Sequence, residues 1–102
     1  MHVIIWEYRA KEGRESAFEQ TYGPAGEWIG LFQHGDGYLG TDLLRDTDTP
    51  RRYVTIDRWV SSTAYEAFRR QWKSDYEALD ARCEPLTEHE ALLGTFNLSS
   101  ND

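Results

Sequence analysis

Two acidic residues occupy equivalent positions in the two most strand-like segments of the chain. Glu7 and Asp57 lie fifty positions apart, each within a run rich in Val, Ile, Trp and Tyr. In neighbouring strands, carboxylates about 5 Å apart would repel by roughly 3 kcal/mol at an effective dielectric constant near 20. That repulsion would raise one pKa by about two units, which suits a general acid or base near neutral pH. The alternative is a structural ion-pair network in which Arg9 or Arg58 pairs with both acids.

Aromatic residues are abundant, and several are candidates for the wall of a ligand pocket. Phe, Trp and Tyr make up 14% of the chain, a heavy load for the modest core of a chain this size. The six pocket candidates are Trp6, Trp28, Phe32, Trp59, Tyr65 and Trp72. Such a cleft would hold a flat aromatic ligand. The alternative is ordinary core packing, which is favoured for Trp72 and Phe68 and stays open for Trp28 and Trp59.

The remaining reactive residue types do not form a metal or cofactor site. His2, His34 and His89 show no ligand spacing with an acid on a shared face. Cys83 lies near a predicted helix C-terminus, away from the setting that lowers a thiol pKa, so we interpret it as structural. The Gly-Asp-Gly turn at residues 35–37 precedes a strand, not a helix, and is not placed to cradle phosphate. We therefore expect no metal and no bound cofactor.

An internal repeat indicates which elements position these residues. Leu-Gly-Thr at residues 39–41 returns at 93–95, and Ala-Phe at 17–18 returns at 67–68. A strand-like run precedes each Ala-Phe pair, so each half has the order strand, helix, strand. Two halves give β-α-β-β-α-β, an α+β ferredoxin-like fold with a four-stranded antiparallel sheet. Helices cover only one face of such a sheet, so the other face must find a partner.

The hydrophobic periodicity and turn residues predict the boundaries of these elements. Strands are predicted at residues 2–9, 38–45, 52–60 and 91–98. Helices are predicted at 15–22 and 27–33, with a long second helix from Ser61 or Ser62 to about 83–85. We expect one domain over residues 1–98 and a frayed tail at 99–102.

Composition narrows the classes of function and partner. The net charge is −7, with 18 acidic and 11 basic residues. Nucleic acid and anionic membranes are not expected partners, because they need clustered Lys and Arg. No segment is long and apolar enough for a membrane span or a signal peptide. One cysteine excludes an internal disulfide, and we expect a cytoplasmic protein.

The segment from Arg52 to Trp59, followed by Tyr65 and Phe68, resembles the antibiotic biosynthesis monooxygenase family. The turns at residues 11–14 and 37–40 fit the same family. The resemblance implies ferredoxin-like subunits whose sheets pair into a dimeric α/β barrel. It also implies a range of activities: cofactor-free oxygenation of aromatic polyketides or quinols in some members, degradation of haem in others, and none established in many.

Individual positions both match and depart from the family pattern. The resemblance places Trp59 beside the substrate and Tyr65 where polyketide oxygenases also carry a tyrosine. Thr55 stands where those oxygenases have Asn, four residues before the Trp. The haem degraders have an Asn in the first strand, near Trp6 here, and a His in the second helix, which this chain lacks. Haem degradation is therefore not expected.

The candidate residues and the family resemblance favour one hypothesis and leave one alternative. We expect a monooxygenase-like oxidoreductase that binds a small aromatic or quinone-type molecule between sheet and helices, without a cofactor. Asp57 or Glu7 would deprotonate a phenol, and Arg58 would stabilise the anion that reacts with O₂. The ring would be held by Trp6, Trp28, Phe32, Trp59 and Tyr65. The alternative is a non-catalytic small-ligand-binding or structural homodimer of the same fold; a homodimer is expected in either case.

Overall fold

The structure, a computed structural model, describes residues 1–99, which contain a four-stranded antiparallel sheet. The strands run in the spatial order β2-β3-β1-β4. They are β1 (His2–Ala10), β2 (Tyr38–Arg45), β3 (Arg52–Trp59) and β4 (Thr87–Asn97). This order and the alternation with helices confirm the predicted α+β ferredoxin-like fold.

Helices connect the strands on one side of the sheet. Between β1 and β2 lie α1 (Glu15–Tyr22) and α2 (Glu27–Phe32). Between β3 and β4 lie α3 (Ser62–Gln71), α4 (Lys73–Cys83) and one 3-10 turn (Glu84–Leu86). Ser61 caps α3, because its Oγ accepts a 3.1 Å hydrogen bond from the Ala64 N–H.

Two elements differ from the sequence prediction by more than one residue. The long second helix is divided at Trp72, whose backbone leaves helical geometry (φ −108°, ψ 27°). The Trp72 ring stacks on His34, with centroids 4.6 Å apart. β4 begins at Thr87 instead of residue 91, because its first residues pair with the end of β1, where Ala10 faces Thr87. Of the predicted tail, residues 100–102 lie outside the described part of the chain.

The core lies between the helices and one face of the sheet. Side chains of β3 alternate in burial, and Tyr53, Thr55, Asp57 and Trp59 are the buried set. Phe18 of α1 packs on Tyr53, with ring centroids 4.6 Å apart. Each apolar side chain of this size stabilises the fold by about 2 kcal/mol on burial. The core therefore fixes which residues of β3 face the helices.

The opposite face of the sheet, called the open face below, carries apolar side chains from all four strands. Ile5 faces Ile56 across β1 and β3, and Val54 faces Leu44 across β3 and β2. Phe96 of β4 faces Val3 of β1 on the same side. Leu44 and Phe96 are 48% and 52% exposed in the single chain.

Candidate functional site

A cavity of about 190 Å³ lies between the helix-covered face of the sheet and the four helices α1–α4. We call it the ring cavity. Most of its wall is aromatic, formed by Trp6, Tyr8, Tyr22, Trp28, Phe32, Tyr65 and Tyr76. Its polar groups are Thr41, Thr55, Asp57, Arg69, Asp80 and Glu90. An apolar pocket with a few converging polar groups is the usual form of a small-molecule site.

Asp57 is the buried acid of the ring cavity. Its side chain projects from β3 toward the helices and the residue is only 6% exposed. Thr41 donates a hydrogen bond of 2.7 Å from Oγ1 to Asp57 Oδ1. The Tyr38 hydroxyl lies 2.6 Å from Thr41 Oγ1 and, since Thr41 donates to Asp57, Tyr38 donates to Thr41. Among the residues described, Oδ2 of Asp57 accepts no hydrogen bond.

Burial sets the acidity of Asp57. Loss of hydration raises its pKa to about 6, and the Thr41 hydrogen bond and the more distant Arg58 charge offset only part of that effect. A carboxyl with this pKa is mostly ionised at neutral pH and still binds a proton readily. This is the range in which a carboxylate works as a general base.

Glu7 and Asp57 are not neighbours, so the predicted carboxylate pair is wrong. In the antiparallel β1–β3 pair, Glu7 faces Val54 and Asp57 faces Ile4. Residues related by the fifty-residue repeat meet only at the middle of such a pair and diverge toward its ends. Glu7 therefore lies on the open face, where Arg52 Nε donates to it at 2.9 Å. That hydrogen bond is the main reason that the pKa of Glu7 is lowered.

Arg58 also lies away from the ring cavity, so its predicted role beside a bound anion is wrong. It alternates with Asp57 along β3 and pairs on the open face with Asp42 at 2.8 Å. The guanidinium that lines the cavity belongs to Arg69 of α3, a residue that was not predicted from the sequence. Arg69 donates to the Tyr65 hydroxyl at 3.0 Å and lies 3.8 Å from the centre of the Tyr76 ring. The i, i+4 spacing from Tyr65 is the signal that would have found it.

The predicted aromatic residues divide between cavity and core. Trp6, Trp28, Phe32 and Tyr65 line the ring cavity. Trp59 does not, because it is fully buried at 0% exposure against Phe68, whose ring centroid is 5.0 Å away. Its expected role as a pocket wall is therefore wrong.

Several cavity residues had no distinctive signal in the sequence. Thr41, Tyr76, Asp80 and Glu90 come from β2, α4 and β4, and only the packing of these elements brings them together. Thr55, at the place where the polyketide oxygenases carry Asn, does open onto the ring cavity.

A family model decides the relationship of this chain to known proteins. The model for antibiotic biosynthesis monooxygenases matches residues 1–74. The chain belongs to the antibiotic biosynthesis monooxygenase family. No curated protein matches the sequence at a significant level.

Solved structures share the fold at low sequence identity. SnoaB from Streptomyces nogalater, described as a cofactor-independent oxygenase, is 19% identical, with a TM-score of 0.72 over 97% of this chain and 93% of its own. A variant of MhuD crystallised with two manganese protoporphyrin IX molecules per active site is 22% identical, with a TM-score of 0.74 over 100% and 98%. A NIPSNAP domain protein from Burkholderia xenovorans is 20% identical, with a TM-score of 0.73 over 100% and 98%.

Residues 1–99 contain neither a metal-binding cluster nor a membrane-spanning helix. No group of three or more His, Cys, Asp or Glu side chains is placed to hold a metal ion in this part of the chain. Over the same residues, none of the helices has the length and apolar character needed to cross a membrane.

Proposed function

We propose that this family member is an oxygenase that binds a small phenol or hydroquinone in the ring cavity and uses Asp57 as the general base. The observation that carries the proposal is the position of Asp57: a nearly buried carboxylate with a pKa raised to about 6, on the wall of an aromatic cavity. Buried groups with shifted pKa values concentrate at active sites. The sequence alone left the choice between Asp57 and Glu7 open. We propose Asp57 because it lines the ring cavity, whereas Glu7 lies on the open face.

The volume of the ring cavity favours a ligand with one aromatic ring. An apolar cavity of about 150 Å³ is known to hold benzene, and this one measures about 190 Å³. Trp28 and Tyr76 meet edge to face, with centroids 5.0 Å apart, and form one corner of the wall. A flat ring packs on such surfaces with offset-stacked or edge-to-face contacts.

The proposed reaction begins with proton transfer from the phenol hydroxyl to Asp57 Oδ2. The phenolate then gives an electron to O₂, and the two radicals combine to form a C–O bond at a ring carbon that carries hydrogen. Loss of that carbon's proton and cleavage of the O–O bond leave a carbonyl, and water departs. Phenol and O₂ thus yield a quinone and water, with all electrons supplied by the substrate. No protein-bound cofactor is required.

Arg69 is the cation that we propose to stabilise the phenolate, in place of Arg58. It lines the ring cavity and is held in position by the Tyr65 hydroxyl and the Tyr76 ring. A fixed cation beside developing negative charge lowers the barrier, since it needs no reorganisation during the reaction.

Oxygen uptake with a panel of one-ring phenols and hydroquinones tests this proposal. The expected result is saturable consumption of one O₂ per ring, with a quinone product and a rate above the protein-free control. Saturable binding without oxygen uptake would instead support the non-catalytic ligand-binding alternative. We do not propose haem degradation, because α3 and α4 contain no histidine.

We also propose a homodimer assembled through the open face. Leu44 and Phe96 leave about half of their surface in water in the single chain, and Val54 and Ile56 lie between them on the same face. An exposed apolar surface of this kind usually marks an interface. A second copy of the chain offers the same apolar strands in return, and a stable contact would bury about 800 Å² per subunit.

A further inference from the structure

Three carboxylates line the ring cavity. Asp57, Asp80 and Glu90 form no ion pair with any Lys, Arg or His among the described residues. Glu88, two residues before Glu90, is by contrast paired, with Arg51 2.9 Å away. The ring cavity therefore contains three carboxylates that no ion pair in residues 1–99 neutralises.

The three carboxylates lie at two levels of the cavity. Asp57 is buried, with Oδ2 free of hydrogen bonds among the residues described. Asp80 of α4 and Glu90 of β4 line the same cavity but have exposed side chains, so they mark its mouth. Tyr8 lines the same cavity: burial raises its pKa most, and Tyr22, Glu90 and Asp57 raise it further.

The charge of the cavity favours a cation over an anion. Three ionised acids against the single Arg69 guanidinium leave a net charge of −2 on the wall. The aromatic rings of the wall also attract cations through their faces, as Arg69 over Tyr76 already shows. These acids are not grouped to hold a metal ion in the described part of the chain, so the cation that fits is organic.

We propose that the ligand of the ring cavity is a phenol that carries a protonated amine. Its hydroxyl lies against Asp57, its ring lies between the aromatic walls, and its ammonium group lies between Asp80 and Glu90 at the mouth. This inference rests on the proposed function for the site, and it adds the charge of the substrate. The two negative carboxylates stabilise the positive ammonium group between them without an added counterion.

Three phenols with short para side chains of different charge test the inference. Tyramine is cationic, 4-ethylphenol is neutral and 3-(4-hydroxyphenyl)propionate is anionic at pH 7.5. Isothermal titration at low salt is expected to show tyramine binding about tenfold more tightly than 4-ethylphenol, with the anion weakest. Equal affinities, a preference for the anion or no binding by any of the three would overturn the inference.

Charge-neutralising variants locate the effect. The double variant Asp80→Asn with Glu90→Gln is expected to lower the ratio of tyramine affinity to 4-ethylphenol affinity from about ten to near one. Glu88→Gln is the matched control on the same strand, and it should bind tyramine as the parent does. A preference that survives the double variant would place the ammonium group elsewhere and contradict the proposal.

The binding data separate this inference from the oxygenase proposal. A tyramine preference without oxygen uptake would sustain the charge assignment and refute the oxygenase. Oxygen uptake with neutral phenols and no tyramine preference would sustain the oxygenase proposal and refute the charge assignment.

Discussion

Thr41 and Asp57 face each other across β2 and β3 and are joined by a hydrogen bond of 2.7 Å from Thr41 Oγ1 to Asp57 Oδ1. The bond holds Asp57 Oδ1 against Thr41 of β2 and leaves Asp57 Oδ2 free for a ligand. It also stabilises the ionised form of Asp57 and so offsets part of the rise in pKa that burial causes. The Thr41–Asp57 hydrogen bond thus affects both the orientation of the Asp57 carboxylate and its pKa.

Loss of the Thr41 hydroxyl should make Asp57 a weaker acid. Thr41→Val removes the hydrogen bond to the ionised form, so the pKa of Asp57 should rise above about 6, by about one further unit. The acidic limb of the kcat/KM profile for oxygen uptake should move to higher pH by the same amount. Thr41→Ser keeps a hydroxyl and should leave that limb in place. An unchanged limb in Thr41→Val would show that Asp57 is not the titrating base.

Replacing Asp57 should stabilise the protein in a pH-dependent way. Because the folded-state pKa lies above that of the unfolded chain, the folded state binds more protons between about pH 4 and pH 6, and stability falls as pH rises through that window. Asp57→Asn should therefore raise the free energy of unfolding by about 1–2 kcal/mol at pH 8 and by little at pH 4. Urea titrations at both pH values measure the difference. An Asp57→Asn variant less stable than the parent at pH 8 would contradict the claim that the buried, ionised Asp57 destabilises the fold.

Trp59 and Trp6 should respond differently to truncation. Trp59→Leu opens a cavity in a close-packed core and should cost about 3 kcal/mol of unfolding free energy. Trp6 already borders the ring cavity, so Trp6→Leu should cost less stability and weaken binding of a phenol more. Denaturant melts and titration calorimetry on both variants test this contrast. Equal losses of stability with intact binding in both would remove Trp6 from the ligand site.

The open face should hold two chains together. We expect a dimer at micromolar concentration by light scattering, and a monomer when Leu44→Glu is combined with Phe96→Glu, because two charges would be placed in an apolar contact. Far-ultraviolet circular dichroism should show that the variant keeps its secondary structure. A parent chain of monomeric mass would refute the interface.

The local pattern of the sequence was sufficient for most of the fold. Strand periodicity and turn residues predicted β2 at residues 38–45 and α1 at 15–22, which are the observed bounds. The break at Trp72 was missed because apolar residues keep a helical period on both sides of it. The start of β4 was missed because Glu88 and His89 have no strand signal, and their pairing with β1 is a long-range effect.

The candidate site was predicted only where it depends on one strand or one helix. Asp57, Trp6 and Tyr65 were identified because each belongs to a segment with a clear pattern of its own. The pairing of Glu7 with Asp57 failed because a repeat offset does not give the register of an antiparallel pair, and register decides which face a residue occupies. Residues such as Glu90 enter the site only through the packing of distant elements.

Oxygen uptake by two charge-neutralising variants tests the central claim most directly. Asp57→Asn removes the proposed base, and Glu7→Gln makes the same chemical change on the open face, outside the ring cavity. With a phenol that the parent consumes, we predict that Asp57→Asn lowers kcat at least about a hundredfold while still binding the ring, and that Glu7→Gln keeps the parent rate. Parent-like oxygen uptake by Asp57→Asn would contradict the claim that Asp57 is the base of this site.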